Sequence, residues 1–290
     1  MLRFWPKIRL PVQISFSFIS LVWVVHVLRK IDWTVTRESL NNISIPLLTA
    51  CFFLVGLIYL TRLFRLRYWV QRLPGRKLST REWTDLYLKS MALGSITPAR
   101  LGDFSRITLL SKTGLSLGAR SKVTFHDKMV DVLYVPMGIC LTSDIVGNKL
   151  NVPPIWIFSG GMLSLIIFLL LSYWFARFLG IAALLAGWAM TVSGLGLYIL
   201  SNTFIFWSVG IQLSMLEVAA ITLSVGIVGS LPISVGGIGI RESSLLCLLG
   251  LWGIRQEAIP PVLFLEFIFN IVFPVMLYLS WALLIDINKG

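Results

Sequence analysis

Three groups of charged residues lie where this chain is otherwise apolar, and each has the chemistry to hold an anion. The first is Arg241 with Glu242, closing a stretch whose helix breakers are Pro232, Gly236, Gly237 and Gly239. At membrane depth a broken backbone is tolerated only where protein buries it or a wet cavity touches it, and ionisable groups there are costly. The reading is a discontinuous helix whose exposed amides and Arg241 help hold an anionic group. The plainer alternative is a Gly/Pro turn with Arg241 and Glu242 in an interfacial ion pair.

The second group is Arg100, Asp103 and Arg106, around the break at Pro98 and Gly102. Guanidinium forks match phosphate oxygens, and an acid at Asp103 suits a helix start. The alternative is a solvated basic face at the membrane surface. The third group is His126, Asp127, Lys128 and Asp131. Asp127 and Asp131, four apart, share one helix face, and Lys128 can pair with Asp131 three residues on. This predicts a polar network along a headgroup path; the alternative is a self-neutralised helix end. His126 beside Asp127 is no metal motif, because further ligands at suitable spacing are absent. Glu266, with Asn270 on the same face, needs a partner, and Arg241 and Lys128 are the candidates.

The elements that must position these groups are membrane helices. Of 290 residues, 57% are hydrophobic and only 13% charged, against about 25% charged in soluble domains; mean hydropathy is +0.85. Spans of about 20 residues use up the length, so the chain reads as a single membrane domain over residues 1–290. Spans are predicted at 10–28, 43–60, 119–142, 154–174, 179–205 and 260–285, with a broken pair over 216–229 and 243–251. The loop between the third and fourth spans is predicted at 144–153. The fifth span is rich in Gly and Ala, as close packing in lipid prefers. The fold class is an all-α polytopic membrane protein with about seven spans and two broken, re-entrant hairpins.

Thirteen of the 25 basic residues fall between Arg62 and Lys122. The positive-inside rule puts that region, and the N-terminus, in the cytoplasm. The same rule, with anionic lipid surfaces, explains a net charge of +12 without nucleic acid, for which no motif is visible. Inside the region, 82–96 reads as a short helix with Leu86, Leu88, Met91, Ala92 and Leu93 on one face. It ends at Thr97, because a residue before proline is pushed out of the helical region. Residues 101–110 then climb back, closing a re-entrant or interfacial hairpin that opens to the cytoplasm. Segments 95–106 and 230–242 share a plan of Ser, Pro, Gly, Arg and acid. Three spans between them would make them enter from opposite faces, as inverted repeats do.

Cys51, Cys140 and Cys247 sit far apart in apolar surroundings and read as small buried hydrophobes, with no disulfide framework and no metal site. No Walker A, GxSxG, HExxH or dinucleotide fingerprint is present. No cofactor is expected, and the chain reads as a non-enzyme.

The motifs at 98–106, 126–131 and 231–242 resemble the flippase-like family named after the transmembrane domain of lysylphosphatidylglycerol synthase, the multiple peptide resistance factor. The resemblance implies a bacterial or archaeal plasma-membrane protein that moves a lipid between leaflets, with re-entrant helices around a headgroup cavity. It implies an anionic phospholipid or polyprenyl-phosphate lipid as the ligand. Asp103 and Asp127 stand where the family has Glu, and Glu266 where an Arg is frequent. No soluble aminoacyl-transferase domain is present, so lipid aminoacylation is not expected. Two other classes fit less well. One is a glycosyltransferase using polyprenyl-phosphate sugars, with Asp32 or Glu38 as its acid. The other is a non-catalytic subunit of a lipid-modifying complex. A membrane-protein partner or a homo-oligomer fits any of them.

Overall fold

A computed structural model describes residues 43–230, 240–254 and 258–287, together with Thr34, Arg37, Glu38 and Asn41. The predicted first span at 10–28 and the breaks at Pro232, Gly236, Gly237 and Gly239 lie outside the described residues. So do the side chains of Pro98, Arg100 and Glu242. Among the described residues every regular element is helical.

Helix α1, Ile45–Val70, starts with Pro46 in its first turn, where a missing N–H costs nothing. It runs 26 residues, ten past the boundary expected at Leu60. The apolar face continues through Leu63, Leu66, Trp69 and Val70, all buried. Arg62 and Arg65 therefore belong to the helix itself, past the span boundary expected at Leu60.

Helix α2, Thr80–Ile96, begins with a capping box: Ser79 accepts from the Glu82 amide, and the Glu82 side chain accepts from the Ser79 amide. It stops at Thr97, as the proline rule required. The chain returns as a 3-10 segment, Pro98–Ser105, then a single α-turn, Arg106–Leu109, and a second 3-10 turn, Leu110–Thr113. Thr97 Oγ1 donates to the Leu93 carbonyl at 2.8 Å and accepts from the Gly102 amide at 2.6 Å, tying the tip shut. The two limbs touch at glycine. A Cβ on Gly102 would collide with the Leu93 carbonyl and stand 2.6 Å from the Gly94 nitrogen. The predicted hairpin is thus real, and Gly102 is its point of closest approach.

Helices α3, Leu117–Val132, and α4, Tyr134–Leu150, form a nearly continuous helical rod of 34 residues. The loop expected at 144–153 is therefore wrong. Helix continues to Leu150, and the turn is made by Asn151, whose φ of 53° is left-handed. Helix α5, Pro154–Ala176, follows, then α6, Ile181–Ser208. Helix α6 lies along α1, with Gly187 under Trp69: a Cβ there would be 2.7 Å from the indole Cε2. This is the close packing anticipated from the Gly-rich composition.

Helices α7, Met215–Ser230, and α8, Ile240–Leu251, flank the undescribed break. The last span contains a π-helical turn. Helix α9, Ile259–Phe267, widens over Ile268–Val272 and resumes as α10, Phe273–Ile287. Among the described residues five helical stretches are long and apolar enough to cross a membrane: α1, the α3–α4 rod, α5, α6 and Ile259–Ile285. With Met215–Gly226 as a shorter apolar helix, the chain is a multi-pass membrane protein. Two of the three cysteines depart from expectation, since only Cys51 is buried, Cys140 is half-buried and Cys247 is exposed.

Candidate functional site

Helices α1 and α3 and the return limb of the hairpin bring seven charged side chains into one connected cluster, with Ser90 of α2 beside them. Arg65 is 1% exposed. Its Nε and Nη2 donate to Asp127 Oδ1 at 2.9 and 2.8 Å, its Nη2 reaches Asp131 at 2.6 Å, and its Nη1 meets Thr191 on α6 at 2.8 Å. Its guanidinium also lies over Trp69, 5.5 Å from the ring centroid. Arg106 donates to the other oxygen of Asp127, and its Nε donates to Ser90 of α2 at 2.9 Å. Asp103 joins from the hairpin tip: Lys128 donates to it at 2.5 Å, and Arg106 lies 3.7 Å away. Lys128 also reaches Asp131 at 3.2 Å, the pair expected from their spacing.

The local reason for this assembly is helix periodicity. Arg62 and Arg65 are one turn apart on α1, and Asp127, Lys128 and Asp131 occupy one face of α3. An isolated charge of this depth would be prohibitive. Paired and hydrogen-bonded on every side, as Asp127 is, it is tolerable. Desolvation has to be met by partners, and the partners come from four different chain segments.

A cavity of about 210 Å³ opens beside the cluster. Arg62, Arg65 and Asp131 line it, as do Arg241, Glu266 and Asn270. Arg241 pairs with Glu266, and Asn270 donates to the Glu266 side chain at 3.0 Å. So Arg241, of the two candidates, is the partner found for Glu266, and Asn270 does share its face. The π-helical turn that widens the backbone between Glu266 and Phe273 holds Asn270. Such bulges recur at functional sites. Apolar residues from α1, α6, α7, α8 and α9, among them Ile58, Leu195, Val225, Leu245 and Leu263, complete the lining.

The expected residues therefore divide. Asp131, Arg241 and Glu266 line the cavity. Asp103, Arg106, Asp127 and Lys128 stand in the adjoining ion-pair cluster, outside the lining. Arg106 in particular is 3% exposed and turned onto Asp127. In this structure it braces the cluster from behind the cavity lining. Sequence reasoning missed Arg62, Arg65, Thr191 and Ser90. The missed signal was the apolar period running on past Leu60, which makes arginines at 62 and 65 helical and inward-facing. His126 is fully buried beside Trp69, with ring centroids 4.7 Å apart, and is apart from the cavity. Among the described residues no group of three His, Cys, Asp or Glu side chains has metal-site geometry.

Residues 11–189 match the family model described as the lysylphosphatidylglycerol synthase TM region. The matched part holds the whole seven-residue cluster; Arg241, Glu242 and Glu266 lie beyond it. No curated protein matches the chain.

Proposed function

We propose, from the premise that the chain belongs to the family of the lysylphosphatidylglycerol synthase TM region, that it moves an anionic lipid between membrane leaflets. The family supports a function tied to membrane lipids. The observation that carries the finer reading is the cavity itself: arginines on its polar wall, apolar side chains on the rest, enclosed by membrane helices.

A phosphate-bearing headgroup meets guanidinium donors there in a low dielectric, where charge-assisted bonds are strong. Acyl chains stay in the surrounding lipid. Asp131 and Glu266 hold Arg65 and Arg241 in place and keep the empty site from being a cationic trap. The hairpin closed at Gly102 gates one face of the cavity. ATP hydrolysis by this chain is not part of the proposed mechanism. The protein sits in a bacterial or archaeal plasma membrane with its N-terminus in the cytoplasm.

Purified protein in vesicles with a headgroup-labelled lipid tests this. Movement of label between leaflets without chemical change supports transport. A new lipid product identifies an enzyme instead, and neither outcome points to a subunit that acts only in a complex.

A further inference from the structure

Four uncharged side chains in the cavity lining, Thr61, Ser95, Asn202 and Asn270, share one property. Each has turned a hydrogen back onto its own helix, as short polar side chains there tend to do. Thr61 Oγ1 donates to the Ile58 carbonyl at 2.8 Å, and Ser95 Oγ to the Met91 carbonyl at 3.1 Å. Asn202 Nδ2 donates to the Tyr198 carbonyl at 2.7 Å. Asn270 Nδ2 donates to the Glu266 carbonyl at 2.8 Å and to its carboxylate at 3.0 Å. A backbone carbonyl only accepts, so it fixes which end of each amide is nitrogen.

What these groups keep for the cavity is chiefly acceptor capacity. No donor reaches Asn202 Oδ1 or Asn270 Oδ1 among the described residues. Asn202 is 3% exposed, yet its Oδ1 is not sealed in the interior; the accessible space beside it is the cavity. Water satisfies such an oxygen while the cavity is empty. A ligand that displaces the water must bring donors of its own.

The guanidinium groups of Arg62, Arg65 and Arg241 line the same space and offer only donors. The cavity therefore asks for an anion and for hydrogen-bond donors within one headgroup. An ammonium group brings donors, but it adds a cation among guanidiniums that already hold the carboxylates there, Asp131 and Glu266. A hydroxyl brings donors without charge.

We infer that the cavity selects a phosphodiester headgroup bearing free hydroxyls, a polyol or a sugar, with the carbonyl oxygens of Asn202 and Asn270 and the Thr61 hydroxyl oxygen as their acceptors. This rests on the transport reading above and names the headgroup chemistry that the cavity serves.

The test uses the full chain in choline-lipid vesicles, each preparation holding one labelled probe. The probes are a glycerol phosphodiester lipid, its propyl analogue, an ethanolamine lipid and a polyprenyl hexosyl phosphate. The first two carry the same charge and differ only in hydroxyls. Binding of each probe to the detergent-solubilised protein is measured in parallel. The wild type should move and bind the glycerol probe about tenfold better than the propyl probe, the worth of two ordinary hydrogen bonds. Asn202→Leu and Asn270→Leu should each bring that ratio down toward one, and Asn202→Gln should recover part of it. Whichever of the glycerol and hexosyl probes is handled better tells whether the hydroxyls belong to a polyol or a sugar, and either keeps the inference. A propyl probe handled as well as the glycerol probe, or an ethanolamine probe handled better than both hydroxyl-bearing probes, overturns the inference and leaves transport standing. No movement of any probe, with glycerol-over-propyl binding that Asn202→Leu removes, overturns transport and keeps the inference; no movement and no such selectivity overturn both. Thermal unfolding checks that the variants fold. Should a leucine variant not fold, Thr61→Val, which keeps the shape and removes an acceptor, is read instead, and an unchanged ratio there overturns the inference.

Discussion

Arg65 and Asp127 lie 62 residues apart in the chain, yet Nε and Nη2 of the first both meet Oδ1 of the second, at 2.9 and 2.8 Å. Asp127 gives its other oxygen to Arg106. One carboxylate thus pins α1 and the return limb of the hairpin to α3. Its two partners are 1% and 3% exposed, so none of these charges has water to fall back on.

That arrangement orders the cost of truncation. Removing one member of a buried pair leaves its partner uncompensated, at about 3–5 kcal/mol. Arg65→Ala should fall in that range. Asp127→Ala should be worse, because it strands two arginines where Arg65→Ala strands shared carboxylates. Thermal or denaturant unfolding in detergent gives the order. Equal stability of Asp127→Ala and wild type would mean that the cluster does not hold the helices together.

The hairpin tip makes a steric prediction. Gly102→Ala places a methyl against the Leu93 carbonyl backbone, which cannot yield as a side chain can. Overpacking of that kind costs about 1–3 kcal/mol, and the closed tip should open. Gly118→Ala, with nothing within 4 Å of its added Cβ, serves as the control and should be neutral or slightly stabilising. Transport loss in Gly102→Ala but not in Gly118→Ala is the expected result; equal behaviour would remove the tip from the mechanism.

Arg241 sits at the first turn of α8 and bridges to Glu266. Arg241→Ala should abolish transport in vesicles, a fall of about a hundredfold, while the protein still folds, since the side chain keeps 23% of its surface accessible. Glu266→Gln keeps the hydrogen bonds in reach and removes the opposing charge. It should lower transport of an anionic lipid by less than Arg241→Ala does. Full activity of Arg241→Ala would take that residue out of the site.

A pH effect follows from the cap of α2. The Glu82 carboxyl is held below its ordinary value of 4.5, chiefly by the Ser79 backbone amide and then by the Ser79 hydroxyl, with a smaller contribution from Arg76. A depressed folded-state value means stabilisation that is present above the ordinary value and lost as pH falls through the lowered one. Acid titration of stability should therefore be less steep in Glu82→Gln than in wild type. The difference should vanish above pH 6 only in slope, with the variant remaining the less stable of the two.

Much of this molecule was readable before any coordinates. Hydropathy alone marks α5 and most of α6. The Thr97–Pro98 step ends α2 for a purely local reason, and the spacing of Lys128 and Asp131 is enough to pair them. Glycine composition pointed to close packing in α6, and Gly187 under Trp69 realises it.

What the sequence by itself determined was periodicity, helix ends and which residue types are too costly to leave unpaired in lipid. Tertiary structure alone decided which charges meet. A run of arginines after an apolar segment reads equally as a cytoplasmic loop or as a helix continuing inward. Only the carboxylates of α3, some 60 residues on, and Thr191 of α6 make the second choice affordable for Arg65. Arg106, on the same grounds, turns away from the cavity, and Arg62, by having the longest contact, is left facing it. A buried charge is placed by its partners, and partners so distant in sequence are chosen by the fold.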